Sequence, residues 1–119
     1  MKHSIDCIIE AITFPGESAW NITIAAEDVS DAIVLMTALQ YGKLSQIKLT
    51  DHHKTAVIRN NSLLLDDIPV SITATWLEAV LSMLLDIQLN GWTTTAHLDQ
   101  DFAATQGNIC VCFAVAPPK

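Results

Sequence analysis

Two short groupings in the sequence combine residue types that bind metal ions. Asp51-His52-His53 joins a carboxylate to two imidazoles, and Cys110-Val111-Cys112 places two thiols on one face of an extended segment. Zinc sites usually present their ligands around turns, in two pairs separated by short gaps. A Cys-x-Cys pair inside an apolar strand lacks that geometry, and such cysteines usually act as small hydrophobic residues. We therefore expect no metal site, with Asp51-His52-His53 forming a solvated polar turn.

A thiol nucleophile requires a histidine within hydrogen-bond distance of a cysteine, in a partly exposed and electropositive setting. Cys7 is the candidate with polar neighbours, but His3 lies four residues away on the same predicted strand, beyond that distance. His97 is the other imidazole to consider, and the sequence does not place it. We therefore expect the cysteines to have no catalytic role.

Paired carboxylates occur at Glu27-Asp28, at Asp66-Asp67 and at Asp99 with Asp101. General acid–base catalysis needs one acid of a pair to be desolvated, so that the two pKa values separate. All three pairs lie at predicted element ends or loops, where acids are hydrated or cap helices. The sequence also has no Gly-rich phosphate loop and no serine in an elbow motif. It therefore predicts a protein that is not an enzyme and that uses no cofactor.

The charge balance excludes general nucleic-acid binding, and it suits either solubility or a basic protein partner. Thirteen acidic and six basic residues give a formal net charge of −7, whereas nucleic-acid binding requires a positive surface. If the three acidic loops meet on one rim of the fold, they form a negative patch that attracts a basic partner. Tryptophan is a common anchor of such interfaces. The candidate partner-binding residues are Glu27, Asp28, Asp31, Asp66, Asp67, Asp99, Asp101 and Trp92.

The composition predicts surplus apolar surface and a reducing compartment. Hydrophobic residues make up 50% of the chain and charged residues 16%, against a usual charged share of about 25%. Three cysteines form an odd set without disulfide spacing. Asp6 interrupts the apolar run that a signal peptide would need, and no stretch is long enough to span a bilayer. We expect a cytoplasmic protein without membrane contact, and the surplus apolar surface would suit a homodimer.

The first half of the chain predicts a hairpin, a helix and short strands. Residues 4–14 form the first strand, a turn follows at Pro15-Gly16, and alternation from Trp20 predicts the second strand. The helix begins at Asp28 and ends at Gly42. Three strands over residues 44–50, 55–59 and 62–66 come next, and a break then leads into residues 70–72.

The second half predicts a second helix and two strands. Thr75-Trp76-Leu77-Glu78 matches a capping box, and the helix that follows is apolar on most sides until Asn90-Gly91. A strand is expected over residues 92–98 and a loop over 99–107. The apolar run 109–115 predicts a central strand that is covered on both faces.

Together these elements predict a single α+β domain over residues 1–119, in the order β-β-α-β-β-β-α-β-β. We expect one antiparallel or mixed sheet of about seven strands that carries both helices. If both helices lie on one face, the other face is exposed or pairs with a partner.

In overall character the chain resembles the small acidic immunity proteins of bacterial toxin systems, including those of contact-dependent growth inhibition. The resemblance lies in the −7 charge, the 119-residue length, the acidic pairs and the missing signal peptide. It implies that the protein binds a cognate toxin domain, often a basic nuclease, and covers or distorts its active site. The basic stretch from Lys43 to Arg59 departs from this pattern, because it would repel a basic toxin unless it faces away.

Two other functions stay open from the sequence. The chain could be a structural module that self-associates through the uncovered face of its sheet. Alternatively, it could bind a small molecule, or act as an unusual enzyme, through Cys7, His97 or the Asp51-His52-His53 turn.

Overall fold

The chain folds into two mixed β-sheets joined by a bent N-terminal strand and packed against two helices. The computed structural model describes residues 3–104 and 107–119, and within them nine strands and two helices. A single 3-10 turn over Ala26–Asp28 leads into the first helix. The elements in chain order are β1 (Ser4–Asp6), β2 (Ile8–Phe14), β3 (Glu17–Ile24), α1 (Val29–Gln40), β4 (Ile47–Thr50), β5 (Thr55–Ile58), β6 (Ser62–Leu65), β7 (Ile68–Ser71), α2 (Ala74–Asn90), β8 (His97–Ala104) and β9 (Gly107–Val115).

The α+β class is confirmed, but the prediction of one sheet with about seven strands is wrong. A five-stranded sheet has the order β1-β4-β5-β6-β7, and a four-stranded sheet has the order β2-β3-β9-β8. Both are mixed, because β1 runs parallel to β4 and β3 runs parallel to β9, whereas the other neighbours are antiparallel.

The two sheets arise because the first predicted strand splits at Cys7. β1 pairs with β4 up to the bond from the Cys7 amide to the Thr50 carbonyl, at 2.9 Å. β4 then ends, and the polar turn that begins at Asp51 carries the chain away into β5. Beyond Cys7 the strand has β3 as its paired neighbour, so it becomes the edge of the other sheet.

The core is one apolar cluster built from alternate strand residues and from one side of each helix. α1 packs against α2 and β4, and α2 also packs against β8. The strand residues that alternate with the buried ones are half-buried or exposed, so no helix of the described chain covers the far face of either sheet. The largest fully buried side chains include Phe113, Ile22, Ile24, Leu39, Ile58 and Leu84.

The end of α1 agrees with the sequence analysis. Gly42 has a φ of +72°, and its amide donates to the Leu39 carbonyl while the Lys43 amide donates to the Ala38 carbonyl. These two bonds form a Schellman motif, which satisfies the last carbonyls of the helix. At the start, Asp28 occupies the N-cap position but makes no side-chain cap, because the 3-10 turn runs directly into the helix.

The capping box predicted at the start of α2 is wrong in its position. The helix begins at Ala74, and the Thr73 hydroxyl accepts a hydrogen bond from the Trp76 amide at 3.3 Å. Thr75 therefore lies inside the helix at its second position, and Glu78 lies two residues beyond Trp76, the position at which a glutamate would complete a box. Gly91 ends the helix, as predicted.

Two predictions about the last strands are also wrong. The strand expected over residues 92–98 begins only at His97, and much of the expected 99–107 loop belongs to β8; residues 105 and 106 lie outside the described residues. Asp99 and Asp101 disfavour a strand by propensity, but pairing with β9 overrides this. β9 is central, as predicted, yet only one of its faces is covered, because Cys110 and Cys112 stay partly exposed.

Across residues 3–104 and 107–119, neither helix combines the length and the hydropathy that crossing a membrane requires.

Candidate interaction surface

The outer face of the four-stranded sheet is uncovered and combines apolar, thiol and acidic side chains, and we call it the open face. Its side chains alternate with the buried residues of the same strands. Strand register places Asp99, Cys112, Asn21 and Glu10 in one row across the sheet, and Asp101, Cys110, Ala19 and Ile12 in the next. The full set is Ile8, Glu10, Ile12 and Phe14 on β2; Glu17, Ala19, Asn21 and Thr23 on β3; Asn108, Cys110, Cys112 and Ala114 on β9; and His97, Asp99, Asp101 and Ala103 on β8.

The chemistry of the open face changes from one edge to the other. On β2, the side chains of Ile8, Ile12 and Phe14 are 58%, 48% and 47% exposed, which is unusual for large apolar residues on one strand. The two central strands carry mainly small side chains. On the β8 edge, Asp99 and Asp101 are both exposed. A partner would thus contact large apolar side chains at the β2 edge, small side chains on the two central strands and carboxylates at the β8 edge.

The electrostatic potential of the open face is negative. Glu10, Glu17, Asp99 and Asp101 contribute four carboxylates, and none of the open-face residues is a lysine or an arginine. His97 offers the sole potential positive charge on this face, with its Nε2 atom 4.0 Å from an Asp99 oxygen. Such a surface attracts basic groups and raises the rate of encounter with a basic partner.

The thiols on the open face are held in the protonated form. Burial and a hydrogen bond to Asp99 raise the pKa of Cys112 to about 12. Burial, followed by a hydrogen bond to Asp101, also raises the pKa of Cys110. Since the thiolate is the reactive form, neither side chain is activated as a nucleophile at neutral pH.

Cys7 lies in a different environment, at the junction of the two sheets. Its Sγ atom donates to the Thr50 carbonyl at 3.6 Å. Burial and the nearby charges of Asp51 and Asp6 raise its pKa to about 11. The three cysteines are free thiols. In the described part of the chain, no three His, Cys, Asp or Glu side chains form a group that could hold a metal ion.

The Asp51-His52-His53 segment forms a turn in which both histidines are exposed, as predicted. Asp51 has a structural role there, because its carboxylate accepts hydrogen bonds from the Ile9 amide at 2.9 Å and from the His52 amide. These bonds, led by the one from Ile9, lower the pKa of Asp51.

The acidic residues near α1 form a separate cluster. Glu27 and Asp28 lie in the 3-10 turn, and Asp31 lies in the first turn of the helix. Burial, followed by the charges of Glu27 and Asp31, raises the pKa of Asp28. The cluster follows the C-terminal end of β3, away from the β2–β3 turn.

Asp66 and Asp67 form the tight turn between β6 and β7, with φ values of +47° and +73°. Asp66 accepts a hydrogen bond from the Thr55 amide at 2.7 Å, and its carboxylate lies 3.8 Å from the Lys54 Nζ atom. Asp67 lines a cleft beside the β2–β3 turn. The structure therefore does not gather the three acidic pairs on one rim.

Of the eight candidate partner-binding residues, Asp99 and Asp101 lie together on the open face. Trp92 is half-buried, and its indole Nε1 donates to the Val115 carbonyl at 2.7 Å, so it anchors the α2–β8 connection to the end of β9. The basic residues Lys48, Lys54 and Arg59 lie on β4, in the β4–β5 turn and just after β5. They therefore belong to the five-stranded sheet, not to the open face.

A cleft of about 570 Å³ opens between the two sheets, next to the β2–β3 turn, and we call it the inter-sheet cleft. Trp20 and Ile109 supply apolar lining from the four-stranded sheet, and Ile68 and Pro69 supply it from the other. Lys54 places its Nζ atom 5.4 Å from the centre of the Trp20 ring, within the range of a cation–π interaction.

The open face was not identified from the sequence, although a signal was present. In residues 97–102, Leu98, Gln100 and Phe102 alternate with His97, Asp99 and Asp101. That alternation predicts a half-buried strand with its acids on one face.

Comparison with protein-family models, with curated proteins and with solved structures gives no match to this chain.

Proposed function

We propose that this chain is a protein-binding module that neutralises a basic toxin domain, in the manner of bacterial immunity proteins, and that the open face makes the contact. The observation that supports the proposal is the pairing of an exposed apolar strand with four carboxylates on a face without lysine or arginine. An apolar patch bordered by charge is typical of a protein interface.

The two edges of the open face would contribute differently to binding. Burial of Ile8, Ile12 and Phe14 would supply affinity, at about 25 cal/mol per Å² of apolar surface removed from water. Asp99 and Asp101 would pair with lysine or arginine side chains of the partner and would increase the association rate. Because Lys48 and Arg59 belong to the other sheet, they need not oppose this contact.

The proposal includes no catalytic step and no cofactor in this chain. Its activity would consist of covering or distorting the active site of the toxin. We also propose a cytoplasmic location, which is supported by three free thiols that a reducing compartment would preserve.

The test is a charge reversal on the open face with a matched control. The variant Asp99→Lys with Asp101→Lys is compared with Glu78→Lys and Asp86→Lys, which make the same change in net charge on the exposed side of α2. The partner is the toxin domain encoded by the adjacent upstream gene, and surface plasmon resonance measures its affinity. We expect about 100-fold weaker binding for the open-face variant and little change for the control. No complex tighter than micromolar, or equal losses in both variants, would contradict the proposal.

A second candidate function is self-association through the same apolar strand. The three large exposed side chains on β2 favour it, because one strand would bring them all to a symmetric contact. Sedimentation velocity at high protein concentration separates the two functions: a monomer removes self-association and leaves the first proposal intact.

A further inference from the structure

On the edge of β2 that faces away from β3, the main-chain N–H and C=O groups of every second residue point outward, away from the β2–β3 ladder. The Cys7 amide donates to the Thr50 carbonyl, and the Ile9 amide donates to the Asp51 carboxylate at 2.9 Å, so both point away from β3. The pairing of β2 with β3 runs without interruption from Ile8 to Phe14. Because outward and inward groups alternate along a strand, Ala11 and Thr13 also direct their N–H and C=O groups away from β3.

The hairpin turn supports the same assignment. Phe14 and Glu17 flank the two-residue turn Pro15-Gly16, in which Gly16 has a φ of +79°. The pair that closes a two-residue hairpin exchanges hydrogen bonds across the ladder. Phe14 and Ile12 therefore bond to β3, and Thr13 and Ala11 do not.

The outward N–H and C=O groups of Ala11 and Thr13, unlike the amides of Cys7 and Ile9, have no hydrogen-bond partner among the described residues. β4, which pairs with β1, ends at Thr50. The Ile9 amide therefore donates to the Asp51 carboxylate and not to the carbonyl of a further β4 residue. The chain then turns away toward β5. A gap is left beside Ala11 and Thr13, where β4 would lie if it continued.

The inter-sheet cleft opens at this gap. Ala11 and Thr13 line one side of the cleft, and Ile68 and Pro69 line the other. Its volume, about 570 Å³, falls within the range of about 300–1,000 Å³ for pockets that enclose a small ligand, or a few side chains of a peptide.

The charges around the cleft favour a basic occupant. Glu17 and Asp67 both line it, and Lys54 is the single cation among its lining residues. Lys54 is already close to the Asp66 carboxylate and to the Trp20 ring. Glu17 and Asp67 are both exposed, so their carboxylates would attract a lysine or an arginine of an occupant.

We propose that the free edge of β2 accepts an extended segment of a basic protein partner, which adds to the sheet as a strand beside Ala11 and Thr13. The segment would exchange main-chain hydrogen bonds with these two residues and place alternate apolar side chains over Trp20. This inference rests on the proposed function, and it adds the element of the partner that the chain recognises.

A second copy of this chain fits the gap less well than a single strand. It would bring a net charge of −7 to an acidic cleft. In addition, Ile68 and Pro69 of the second copy would come against Ile68 and Pro69 of the first, which already occupy that side of the cleft.

The test uses a short synthetic peptide that alternates valine and lysine, with the same peptide N-methylated at every valine or at every lysine as controls. Amide hydrogen exchange, followed by NMR, reports on individual residues of the full chain. In the free protein we expect fast exchange at Ala11 and Thr13 and slow exchange at Ile12. The unmodified peptide should slow exchange at Ala11 and Thr13 by about tenfold or more.

Of the two N-methylated peptides, the one whose methyl groups face the edge of β2 should lose binding. Absence of binding at about 1 mM peptide, or protection that spares Ala11 and Thr13, would overturn the inference. Protection that increases with protein concentration alone would assign the edge to a second copy, which also overturns it.

A variant separates this inference from the proposed function. Asp99→Lys with Asp101→Lys should leave peptide binding at β2 within about twofold, since those residues lie at the opposite edge of the sheet. If the peptide binds but the toxin domain does not, the edge is a strand acceptor and the proposed toxin partner is wrong. If the toxin binds without protecting Ala11 and Thr13, the open face alone makes the contact and the inference is wrong.

Discussion

Asp99 lies directly opposite Cys112 across the β8–β9 ladder, and two residues along each strand Asp101 lies opposite Cys110. Each carboxylate therefore stands beside a thiol on the open face. Burial, together with the adjacent carboxylate, opposes ionisation of each thiol and raises the pKa of both Cys112 and Cys110.

The first prediction concerns the reactivity of these thiols. With its pKa near 12, only about one Cys112 side chain in ten thousand is ionised at pH 8. Alkylation by iodoacetamide, followed by mass spectrometry, should be slow for Cys112, and Asp99→Asn should accelerate it. Asp86→Asn, on the exposed side of α2, is the control. Alkylation of Cys112 with a midpoint near pH 9.0, the pKa of a free thiol, would contradict the prediction.

The second prediction concerns stability at high pH. The pKa values of Cys112 and Cys7 in the folded chain, about 12 and about 11, exceed the value of 9.0 for a free thiol. The unfolded state therefore loses these protons first, and the free energy of unfolding falls as pH rises from about 9 toward 12. Urea unfolding at several pH values measures the slope, and Cys112→Ala should make it shallower. An unchanged slope in this variant would show that Cys112 does not contribute.

The third prediction separates the observed cap of α2 from the one expected from the sequence. Thr73→Ala removes the hydroxyl that accepts from the Trp76 amide, and it should lower the free energy of unfolding by about 1 kcal/mol. Thr75→Ala is the matched control, and it should change stability by less than about 0.5 kcal/mol, because Thr75 is exposed inside the helix. A larger loss of stability for Thr75→Ala than for Thr73→Ala would indicate that Thr75 caps the helix, as the capping box predicts.

The fourth prediction compares two leucines of α2. Leu84 is fully buried, whereas Leu89 is 79% exposed. Leu84→Ala should cost about 3 kcal/mol through lost burial and the cavity left behind. Leu89→Ala should change stability by less than about 0.5 kcal/mol. Equal effects in thermal or urea unfolding would mean that α2 does not pack as described.

The fifth prediction concerns the β6–β7 turn. Asp67 has a φ of +73°, a left-handed conformation that glycine adopts with less strain. Asp67→Gly should therefore raise the free energy of unfolding by up to about 1 kcal/mol. Asp66→Gly is the contrasting variant, because it removes the acceptor of the Thr55 amide and should lower stability. Chemical denaturation of the two variants, with opposite signs, is the readout.

Local signals in the sequence predicted the helices and most turns, because those depend on neighbouring residues. The Gly42 stop of α1 and the Pro15-Gly16 turn are examples, since each is determined by backbone preferences at one or two positions. The division into two sheets was not predictable in the same way. It depends on Cys7 and Ile9 meeting the end of β4, a contact between residues far apart in the chain.

The open face was missed for a related reason. Asp99 and Asp101 have low strand propensity, and only pairing with β9 makes their segment a strand. The apolar composition of β9 predicted burial on both sides, whereas Cys110, Cys112 and Ala114 lie on the uncovered side. Small apolar residues can occupy the centre of an exposed sheet face, so composition alone did not reveal it.

The parallel pairing of β3 with β9 has a consequence for how the chain is made. Trp20 and Val111 are neighbours across that ladder, although most of the sequence separates them. During synthesis, β3 can pair with β2 early, but its other edge has no strand partner until β9 has left the ribosome. Such distant pairing slows folding and leaves the nascent hairpin open to aggregation in the meantime.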